Sequence, residues 1–530
     1  MTADPGEESH DVVIVGAGAA GCWAAKALCE RGLDVLVLDA GPIVDAGSGH
    51  GSGGHPLTTR LRALLGSQPV QLRCPAYDGS NRHLFVDDRE NPYTTGDGAP
   101  FNWFRGRQIG GRLHLWARLV PRLSELELQA GSRDGQGPSW PLSYADLEPH
   151  YDRVEGALGV RGETDGVATM PDGRYLGPHG MTAAERHLAA AVAERWPERH
   201  VVGARVAEPD PGPLPAPLVA ARDTGNLKLR GDAVVTAIDS GPDGRATAVR
   251  WVDRASRAEG RTGARAVVLA ASAIETVRLM LNSSSGAHPD GLGNSSGLLG
   301  RGLMDHVLTG VGGPLPESES AEAGSDPGAV TGFQVPRFQN LGTERAPFLR
   351  GYGLQGGIGR GPGWYMLAHG EMLSRPENRV RLDDSRRDAW GMPVARISCT
   401  HSENEVAMAR DQRRALTEIA AAAGLPIRTP PSGGLLGSLA FRLWRRRLLT
   451  SAGAFIPGSA AHEVGGAAMG EEPSASVTNA FGRCWDAENV LVADGAAFPS
   501  GCWQNVTLTI MALADRACEH LADELESGRA

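Results

Sequence analysis

The N-terminal residues contain two apolar runs separated by an alanine-rich stretch. The first run, Val12–Val15, has no polar residue, and the second run ends at Asp39. Short runs without polar positions are typical of strands buried on both faces of a parallel sheet. The alanine-rich stretch predicts a helix to about Arg31, and Gly32 predicts its end. The pattern therefore predicts a strand, a helix and a second strand.

A similar pattern lies close to the C-terminus. The segment "NVLVADG" predicts another buried strand, and "VTLTIMALADRACEHLADEL" predicts a helix because its apolar residues recur at roughly helical spacing. The loop between these two elements contains Asn505, and His462 stands upstream of the strand in "AHEVGG". One histidine and one asparagine thus flank a predicted strand that is far in sequence from the N-terminal unit.

The region 311–454 has a different pattern. Alternation around Tyr352 and through "WYMLAHGEML" predicts sheet strands, one face of which could line a pocket. The acidic segment "PLPESESAEAGSDPG" has no periodicity and predicts a disordered loop. The segment "SLAFRLWRRRLLTSAG" carries the basic stretch Arg442–Arg447. We interpret that stretch as a solvated helix face or a subunit contact, with a lid or a membrane-surface helix as the alternative.

The first predicted strand leads directly into a glycine motif. Gly16, Gly18 and Gly21 have the G-x-G-x-x-G spacing between a strand and a helix. In this setting the first glycine permits a tight turn, the second lets the backbone approach a pyrophosphate, and the third lets helix and strand pack closely. Asp39 is placed to accept hydrogen bonds from ribose hydroxyls. The motif predicts a bound dinucleotide without distinguishing NAD from FAD.

Composition and charge narrow the class of protein. A length of 530 residues allows about two to four domain-sized units. The net charge of -10 argues against a nucleic-acid binder that depends on neutralising phosphates. The seven cysteines are scattered and form no C-x-x-C pair, which favours a reducing, cytoplasmic setting and suggests no zinc site. The sequence shows no signal peptide and no apolar stretch of the roughly 18–20 residues needed to span a bilayer.

Six sequence blocks carry a resemblance to a known family. They are "GRQIGGRLHLWARLVPRLSELEL", "WPLSYADLEPHYDRVEGALGV", "ARAVVLAASAIETVRLMLNSS", "GLGNSSGLLGRGLMDHV", "ENRVRLDDSRRDAWGMPVARI" and the C-terminal block. These blocks resemble the glucose–methanol–choline (GMC) oxidoreductases over essentially the whole chain. The resemblance implies an α/β fold, in which a doubly wound, Rossmann-like FAD-binding domain joins an antiparallel-sheet substrate domain with covering helices. It places the FAD-binding domain in 1–150, 195–310 and 455–530, and the substrate domain in 311–454 with part of 151–194.

The resemblance also implies which residues contact FAD. The glycine motif would hold the ADP half, "GDAVVTAI" matches the family strand that meets the adenine, and "NVLVADGAAF" matches the strand end near the ribityl chain. An NAD dehydrogenase, the poorer alternative, would not need this distant third segment. The implied cofactor residues are Gly16, Gly18, Ala19, Ala20, Gly21, Asp39, Ala40, Gly110, Gly111, Val235, Ala271, Asp494, Gly495, Asn505, Val506 and Thr507.

Three positions depart from the family pattern. Asp39 stands where the family usually has glutamate, and Arg112 follows the glycine pair where the family favours small hydroxylated residues. Some relatives attach FAD covalently through a histidine directly before a tryptophan, whereas here a leucine precedes Trp116 and His114 is one residue early. We therefore expect non-covalent FAD. His114 is interpreted as a packing or hydrogen-bonding histidine, with contact to the flavin as the alternative.

His462 and Asn505 match the family's catalytic pair in its histidine–asparagine version. Alcohol oxidation needs a base of near-neutral pKa for the hydroxyl proton, which suits histidine. A neutral amide can position the substrate oxygen without competing for that proton. We interpret His462 as the general base and Asn505 as the positioning group. Glu463 either tunes the base or is an outward-facing or backbone-bonded carboxylate. The resemblance places Asp305 and His306 at the outer wall of the FAD domain, and we interpret them as structural or capping residues.

The substrate class is inferred from the middle of the chain. Tyr352, Gln355 and Trp364 are candidate substrate contacts, by hydrogen bonding or stacking. The surrounding blocks resemble bacterial family members that act on sugars and polyols. The expected reaction is oxidation of a hydroxyl group on a sugar-like, amino-sugar or polyol substrate to the carbonyl, with hydride transfer to flavin N5 and reoxidation by oxygen or another acceptor. A lyase with a redox-silent flavin, and an oxidase of an apolar sterol or aryl alcohol, are the alternatives.

Overall fold

A computed structural model describes residues 8–44, 66–77, 81–210, 212–315, 331–343, 345–360, 363–428 and 448–528. The basic stretch Arg442–Arg447 and most of the predicted acidic loop lie outside these residues. The helices are α1 Ala19–Glu30, α2 Glu125–Leu128, α3 Ala130–Asp134, α4 Tyr144–Leu158, α5 Ala183–Arg195, α6 Ala216–Asp223, α7 Ala273–Asn282, α8 Glu403–Ala422 and α9 Thr507–Glu526. The strands are β1 Ser9–Val15, β2 Val35–Leu38, β3 Thr94–Thr95, β4 Val202–Gly203, β5 Leu227–Arg230, β6 Ala233–Ser240, β7 Ala246–Asp253, β8 Glu259–Leu269, β9 His306–Pro314, β10 Phe333–Val335, β11 Tyr352–Ile358, β12 Gly363–Glu371, β13 Arg379–Arg387, β14 Pro393–Ser398 and β15 Val490–Val492.

The predicted strand–helix–strand unit is the centre of a larger sheet. β1 pairs in parallel with β2 on one side and with β8 on the other, and β5 extends the sheet beyond β2. β15, the predicted C-terminal strand, pairs in parallel with β8, whereas β7 and β6 continue antiparallel from β8. The apolar residues of β1 and β2 are buried, as expected for inner strands covered on both faces. The predicted α/β fold class is confirmed.

The first and last long helices are joined by a buried polar contact. The Trp23 indole of α1 donates a hydrogen bond to the Asp515 carboxylate of α9 over 2.9 Å. The same carboxylate contacts His150 and Arg153 of α4, at 2.6 and 2.9 Å. Burial of a carboxylate is costly unless it is paired and hydrogen-bonded, so these three donors stabilise its position. The contacts hold the middle of α9 against α1 and α4.

A second, antiparallel sheet has the order β4, β10, β11, β12 and β9. Helix α8 packs on it, contacting β9 and β12. Two pairings cross the domain boundaries that the resemblance implies. Strand β4 comes from the segment 195–310 but pairs with β10, and β14 from the segment 311–454 pairs with β3. The boundaries themselves remain a prediction.

Candidate active site

A cavity of about 430 Å³ lies between the doubly wound sheet and the antiparallel sheet. This volume is within the usual range for a site that binds a small molecule. The cavity collects residues from all three predicted cofactor segments and from both catalytic positions. Of the predicted site residues, those that border it are Gly16, Gly18, Ala19, Ala20, Asp39, Ala40, Gly111, Val235, Ala271, Gln355, His462, Asp494, Gly495, Asn505, Val506 and Thr507.

The glycine cradle, residues 16–21, shows why each glycine is needed. Gly16 has φ +99°, and a Cβ there would lie 2.5 Å from the Ala270 carbonyl oxygen. A Cβ on Gly21 would lie 1.8 Å from the Gly16 carbonyl oxygen, so this glycine is required by the contact between helix and strand. A Cβ on Gly18 would meet no protein atom within 4 Å. Gly18 therefore leaves open space in the cavity wall, which fits the close approach of a pyrophosphate.

Asp39 has a structural role beside the cavity. Its carboxylate accepts hydrogen bonds from the backbone N–H groups of Ala17 at 2.7 Å and Gly41 at 2.9 Å. Burial raises the pKa of this carboxyl, while the two backbone donors oppose that rise. The shorter aspartate thus stabilises the turns that follow β1 and β2. Its contact with a ribose remains a prediction.

The glycine pair and His114 form a compact loop. A Cβ on Gly110 would lie 2.5 Å from the Nε2 atom of His114. The imidazole therefore fills the space next to Gly110, which does not border the cavity. The Nε2 atom of His114 donates a hydrogen bond to the Ile109 carbonyl oxygen at 2.8 Å. His114 therefore contacts its own loop, in agreement with the interpretation as a packing and hydrogen-bonding residue. Gly21, like Gly110, does not border the cavity.

Asp494 anchors the third cofactor segment. Its carboxylate accepts hydrogen bonds from the Thr276 hydroxyl at 2.5 Å and from the backbone N–H of Ala496 at 2.9 Å. Burial raises the pKa of Asp494 to about 6. Because Thr276 belongs to α7, this contact joins the strand end after β15 to the helix after β8. The two segments thereby meet at one edge of the cavity.

Asp305 holds the backbone of the loop that leads to His462. The carboxylate accepts hydrogen bonds from the N–H groups of Gly458, Ala460 and His462 at 2.7, 3.3 and 3.2 Å. This is the capping role interpreted from the sequence. The expectation that His306 lies at an outer wall is wrong, because that residue is only 3% exposed and its ring centroid lies 5.0 Å from that of His462.

Three imidazoles meet beside the cavity. The ring centroid of His306 lies 5.0 Å from that of His369, and His369 lies 6.0 Å from His462. Burial lowers the pKa of His306 to about 4 and the pKa values of the other two well below the usual range. All three rings are therefore neutral near pH 7, so His462 has a lone pair that can accept a proton. Among the described residues, the Nδ1 atom of His462 is buried without a hydrogen-bond partner, and the residue borders the cavity.

The three imidazoles also form a set of potential metal ligands, which the sequence analysis did not predict. Their ligand atoms lie within 4.8 Å of one another. The carboxylates of Asp305 and Glu463 are engaged, the first with backbone donors and the second with Arg112. Three neutral imidazoles can hold a divalent ion such as Zn²⁺. Such an ion would occupy the lone pair on one ring nitrogen of His462, the group interpreted as the base. We interpret the cluster as the polar surroundings of the base.

The antiparallel sheet presents one face to the cavity, formed by Leu308, Gln355, Leu367 and His369. The Gln355 amide contacts the His369 ring at 3.1 Å between the two Nε2 atoms. His369 was not singled out by the sequence analysis, although it stands in the quoted strand "WYMLAHGEML". Alternation along β12 would have identified it, because residues two apart share a face and Leu367 also borders the cavity.

Tyr352 and Trp364 point away from this face. The Tyr352 hydroxyl donates to the Asp411 carboxylate at 2.8 Å, and the Trp364 indole donates to the Pro426 carbonyl at 3.1 Å. Neither residue borders the cavity. Tyr352 and Gln355 are three positions apart on β11, so strand alternation places them on opposite faces. The prediction that Tyr352 and Trp364 contact substrate is therefore not supported, whereas Gln355 borders the cavity and could contact a substrate.

The doubly wound sheet carries a glycine cradle, and a histidine borders the same cavity. These features define a dinucleotide-binding oxidoreductase that is built on two sheets. Comparison with known families identifies it further. Models of the GMC oxidoreductase family match residues 10–308 and 374–514, in their N-terminal and C-terminal parts respectively. The chain belongs to the GMC oxidoreductase family and is an FAD-dependent alcohol oxidoreductase.

Similar proteins match over nearly the full chain. Paromamine 6'-oxidase from Streptomyces fradiae is 30% identical, with 98% of this chain and 92% of the relative covered. 2-Methyl-1,2-propanediol dehydrogenase from Mycolicibacterium austroafricanum is 27% identical, with 97% and 95% covered. Among solved structures, an FAD-dependent oxidoreductase from Chaetomium thermophilum is similar in fold with a TM-score of 0.67 at 14% identity, covering 98% of this chain and all of the other. Within the described residues, no helix is long and apolar enough to cross a bilayer.

Proposed function

We propose that the protein oxidises a hydroxyl group of a sugar-like, amino-sugar or polyol substrate to the carbonyl, using non-covalently bound FAD. The observation that carries this proposal is the position of His462, a neutral histidine that borders, together with Asn505, the cavity that contains the glycine cradle. The relatives support the substrate class, since one is a dehydrogenase of a small diol and another an oxidase of an amino-sugar compound.

The cavity residues fit FAD. The open space at Gly18 would receive the pyrophosphate, and the segments at Val235, Asp494 and Thr507 border the same cavity. When bound, FAD supplies the hydride acceptor for alcohol oxidation. His114 supports the non-covalent form, because its Nε2 atom is engaged by the Ile109 carbonyl oxygen.

His462 would accept the proton of the substrate hydroxyl at Nε2. A base works best when its pKa is near the working pH, and a low pKa makes the lone pair available over a wide pH range at some loss of basicity. Burial is the main cause of the low pKa of His462, so a bound substrate that changes the solvation of the ring would change its basicity. The cap from Asp305 fixes the backbone at His462 during this transfer.

Asn505 would hold the oxygen that loses its proton. The residue is 7% exposed, borders the cavity and lies just before α9, which begins at Thr507. An amide N–H donor stabilises negative charge that develops on the substrate oxygen. The N-terminus of α9 adds a partial positive charge on the same side. Gln355 and His369 would contact other polar groups of the substrate.

One observation favours the alternative of an apolar alcohol. Leu308 and Leu367 share the cavity-facing sheet surface with Gln355 and His369. A sterol or aryl alcohol would contact the leucines and offer no partner to the hydrogen-bonding capacity that Gln355 and His369 keep beyond their contact with each other, which costs free energy on desolvation. The polar pair therefore favours a polyhydroxylated substrate.

Anaerobic mixing of the purified holoenzyme with a panel of alcohols tests the proposal. Paromamine, D-fructose, D-sorbitol and 2-methyl-1,2-propanediol represent the proposed class, and cholesterol and benzyl alcohol represent the alternative. We expect loss of flavin absorbance with at least one of the first four compounds. His462→Ala should slow that loss by about 100-fold or more, with bound FAD unchanged. Bleaching by cholesterol or benzyl alcohol alone would reject the substrate class, and bleaching by His462→Ala at the original rate would reject the base.

A further inference from the structure

Arg112 joins three separate segments of the chain beside His462. One of its terminal nitrogens, Nη1, donates to the Ala461 carbonyl oxygen and to the Glu463 carboxylate, both at 2.6 Å. The other, Nη2, donates to the Ser272 hydroxyl at 3.1 Å. The contacts therefore reach both neighbours of His462 and the residue before α7. A guanidinium can make several such bonds at once because its donors are arranged in a fixed planar fork.

Two of these partners have unusual backbone conformations. Ala461 has φ +57° and Ser272 has φ +77°, in the left-handed region that side chains other than glycine rarely adopt. Such a conformation persists only where surrounding contacts stabilise it. For Ala461, Arg112 supplies one of these contacts directly on the carbonyl group. Since Ala461 precedes His462, its conformation sets the direction in which the imidazole leaves the backbone.

Glu463 balances the charge of Arg112. The carboxylate is 2% exposed, its Oε2 atom accepts from Arg112, and its Oε1 atom has no hydrogen-bond partner in the part of the chain that the structure describes. Burial raises its pKa and Arg112 opposes that rise. A buried carboxylate is stable as an anion only when a cation is close. The pair thus places a positive and a negative charge next to the base, with no net charge.

We propose that Arg112 is a positioning residue for the general base, and that with Glu463 it holds His462 in a fixed direction and in a locally neutral field. This inference rests on the proposed function, in which His462 accepts the substrate proton. It gives Glu463 a specific role, which the sequence alone left open.

The charges around His462 make the proposal testable by pH. The ionisable groups that face its ring or backbone are His306 of β9, His369 of β12, Asp305 before β9, Arg112 and Glu463. The histidines are neutral and Asp305 is engaged by backbone donors, so Arg112 and Glu463 are the pair whose charge can be changed one at a time. Removing the anion leaves the cation alone and disfavours imidazolium, whereas removing the cation has the opposite effect.

Four variants of the full-length holoenzyme carry the test: Glu463→Gln, Arg112→Gln, Arg112→Lys and the double variant Glu463→Gln/Arg112→Gln. The pH dependence of kcat is measured with 2-methyl-1,2-propanediol and D-fructose as probe alcohols, together with FAD content and Tm. The limb at low pH, where the base becomes protonated, should move to lower pH in Glu463→Gln and to higher pH in Arg112→Gln. In the double variant it should return towards its original position.

The loss of positioning should appear in kcat. Arg112→Lys keeps the charge but not the fork, so kcat should fall about tenfold with KM changed less than about twofold, because misplacement of a catalytic group by a fraction of an ångström is costly. Kcat should stay low in the double variant, where charge is balanced again but geometry is not. Arg31→Lys is the matched control, because Arg31 bonds Asp523 and Glu526 on the surface. It should leave kcat unchanged.

Two outcomes would overturn the proposal. One is an Arg112→Lys enzyme with the original kcat and pH profile. The other is a shift of the low-pH limb in the same direction in Glu463→Gln and Arg112→Gln. If Arg112→Gln does not fold or bind FAD, the other two single variants still decide. Failure of the proposed function is distinguished separately, since it would leave His462→Ala active whatever the Arg112 variants do.

Discussion

The cavity has two walls that the chain builds in different ways. The cofactor wall begins with the glycine cradle at residues 16–21, which lies between β1 and α1 and is continuous in sequence. The opposite wall is the face formed by Leu308, Gln355, Leu367 and His369, from three strands of the antiparallel sheet. In the first, Gly16 and Gly21 are required by backbone atoms a few residues or one strand away, and Gly18 leaves open space. In the second, the contact between Gln355 and His369 forms because two strands pair in register.

This difference has a physical consequence for substitutions. At Gly16 and Gly21 the cradle is constrained by backbone atoms at very short distances, so a single added carbon has no space to enter. The sheet face is constrained by side-chain contacts, which can be lost one at a time. We therefore expect large, all-or-none effects on the cofactor wall and graded effects on the sheet face.

The largest effect is expected in the cradle. Gly21→Ala would place a Cβ 1.8 Å from the Gly16 carbonyl oxygen, so the protein should be purified without bound FAD and with a lower Tm. Gly18→Ala is the matched change, because its Cβ would meet no protein atom within 4 Å. It should keep the Tm of the apoprotein and weaken FAD binding. Absorbance at the flavin band and thermal denaturation of the apoproteins measure both, and equal behaviour of the two variants would contradict this account.

On the sheet face, a smaller effect is expected from His369→Leu. The change removes one imidazole of the cluster and leaves Gln355 without its partner. We expect kcat/KM for the best alcohol of the panel to fall about tenfold, in line with the loss of a polar contact in a desolvated site. His288→Asn serves as the control, because His288 donates to the Gly244 carbonyl away from the cavity. An unchanged kcat/KM in His369→Leu would remove this residue from the site.

A pH effect on stability is expected from Glu371, the last residue of β12. Glu371 is 1% exposed, and burial raises its pKa to about 7 although Arg350 donates to it at 2.7 Å. The folded state therefore binds this proton more tightly than the unfolded state, whose value is near 4.5. Its contribution to stability is present below pH 4.5 and is lost as pH rises towards 7.

Urea unfolding at several pH values measures this contribution. The free energy of unfolding should decrease across that window by about 1.4 kcal/mol for each unit of pKa difference, as an upper bound. In Glu371→Gln the decrease should be smaller, whatever the variant's overall stability. A variant with the same pH dependence as the original protein would show that Glu371 does not titrate in this range.

A still smaller effect is expected on the far side of the sheet. Tyr352→Phe removes the hydrogen bond to Asp411 and should lower the free energy of unfolding by about 1 kcal/mol. Because Tyr352 does not border the cavity, kcat and KM should stay as they are. Gln355→Leu changes a residue on the opposite face of the same strand and should instead raise KM for a polyol. Equal KM values in the two variants would contradict the assignment of faces.

No effect is expected from removal of divalent metal ions. Prolonged dialysis against EDTA should leave kcat unchanged, because His462, one of the three imidazoles, has to keep its lone pair free to accept a proton. Metal analysis before and after dialysis is the control. A loss of activity that zinc or another ion restores would assign a metal to the cluster.

Much of the fold was predictable from local pattern. The strand–helix–strand unit, the strand at 490–492 and the C-terminal helix all follow from apolar runs and helical spacing. The capping role of Asp305 was also predicted. The placement of Tyr352 and Trp364 was not, because the residue types that line a pocket also fill a sheet core. Applying strand alternation to β11 would have separated Tyr352 from Gln355.

The sequence by itself determined the cofactor wall and the family. A phosphate-binding turn requires glycines at fixed short spacing, and such spacing is written directly in the chain. Only the tertiary structure decided which polar groups surround His462. His306, His369 and Arg112 come from three separate segments of the chain, and no local rule sets how such segments meet. Their neutral or balanced charges depend on burial, which is a property of the folded chain and not of any one segment.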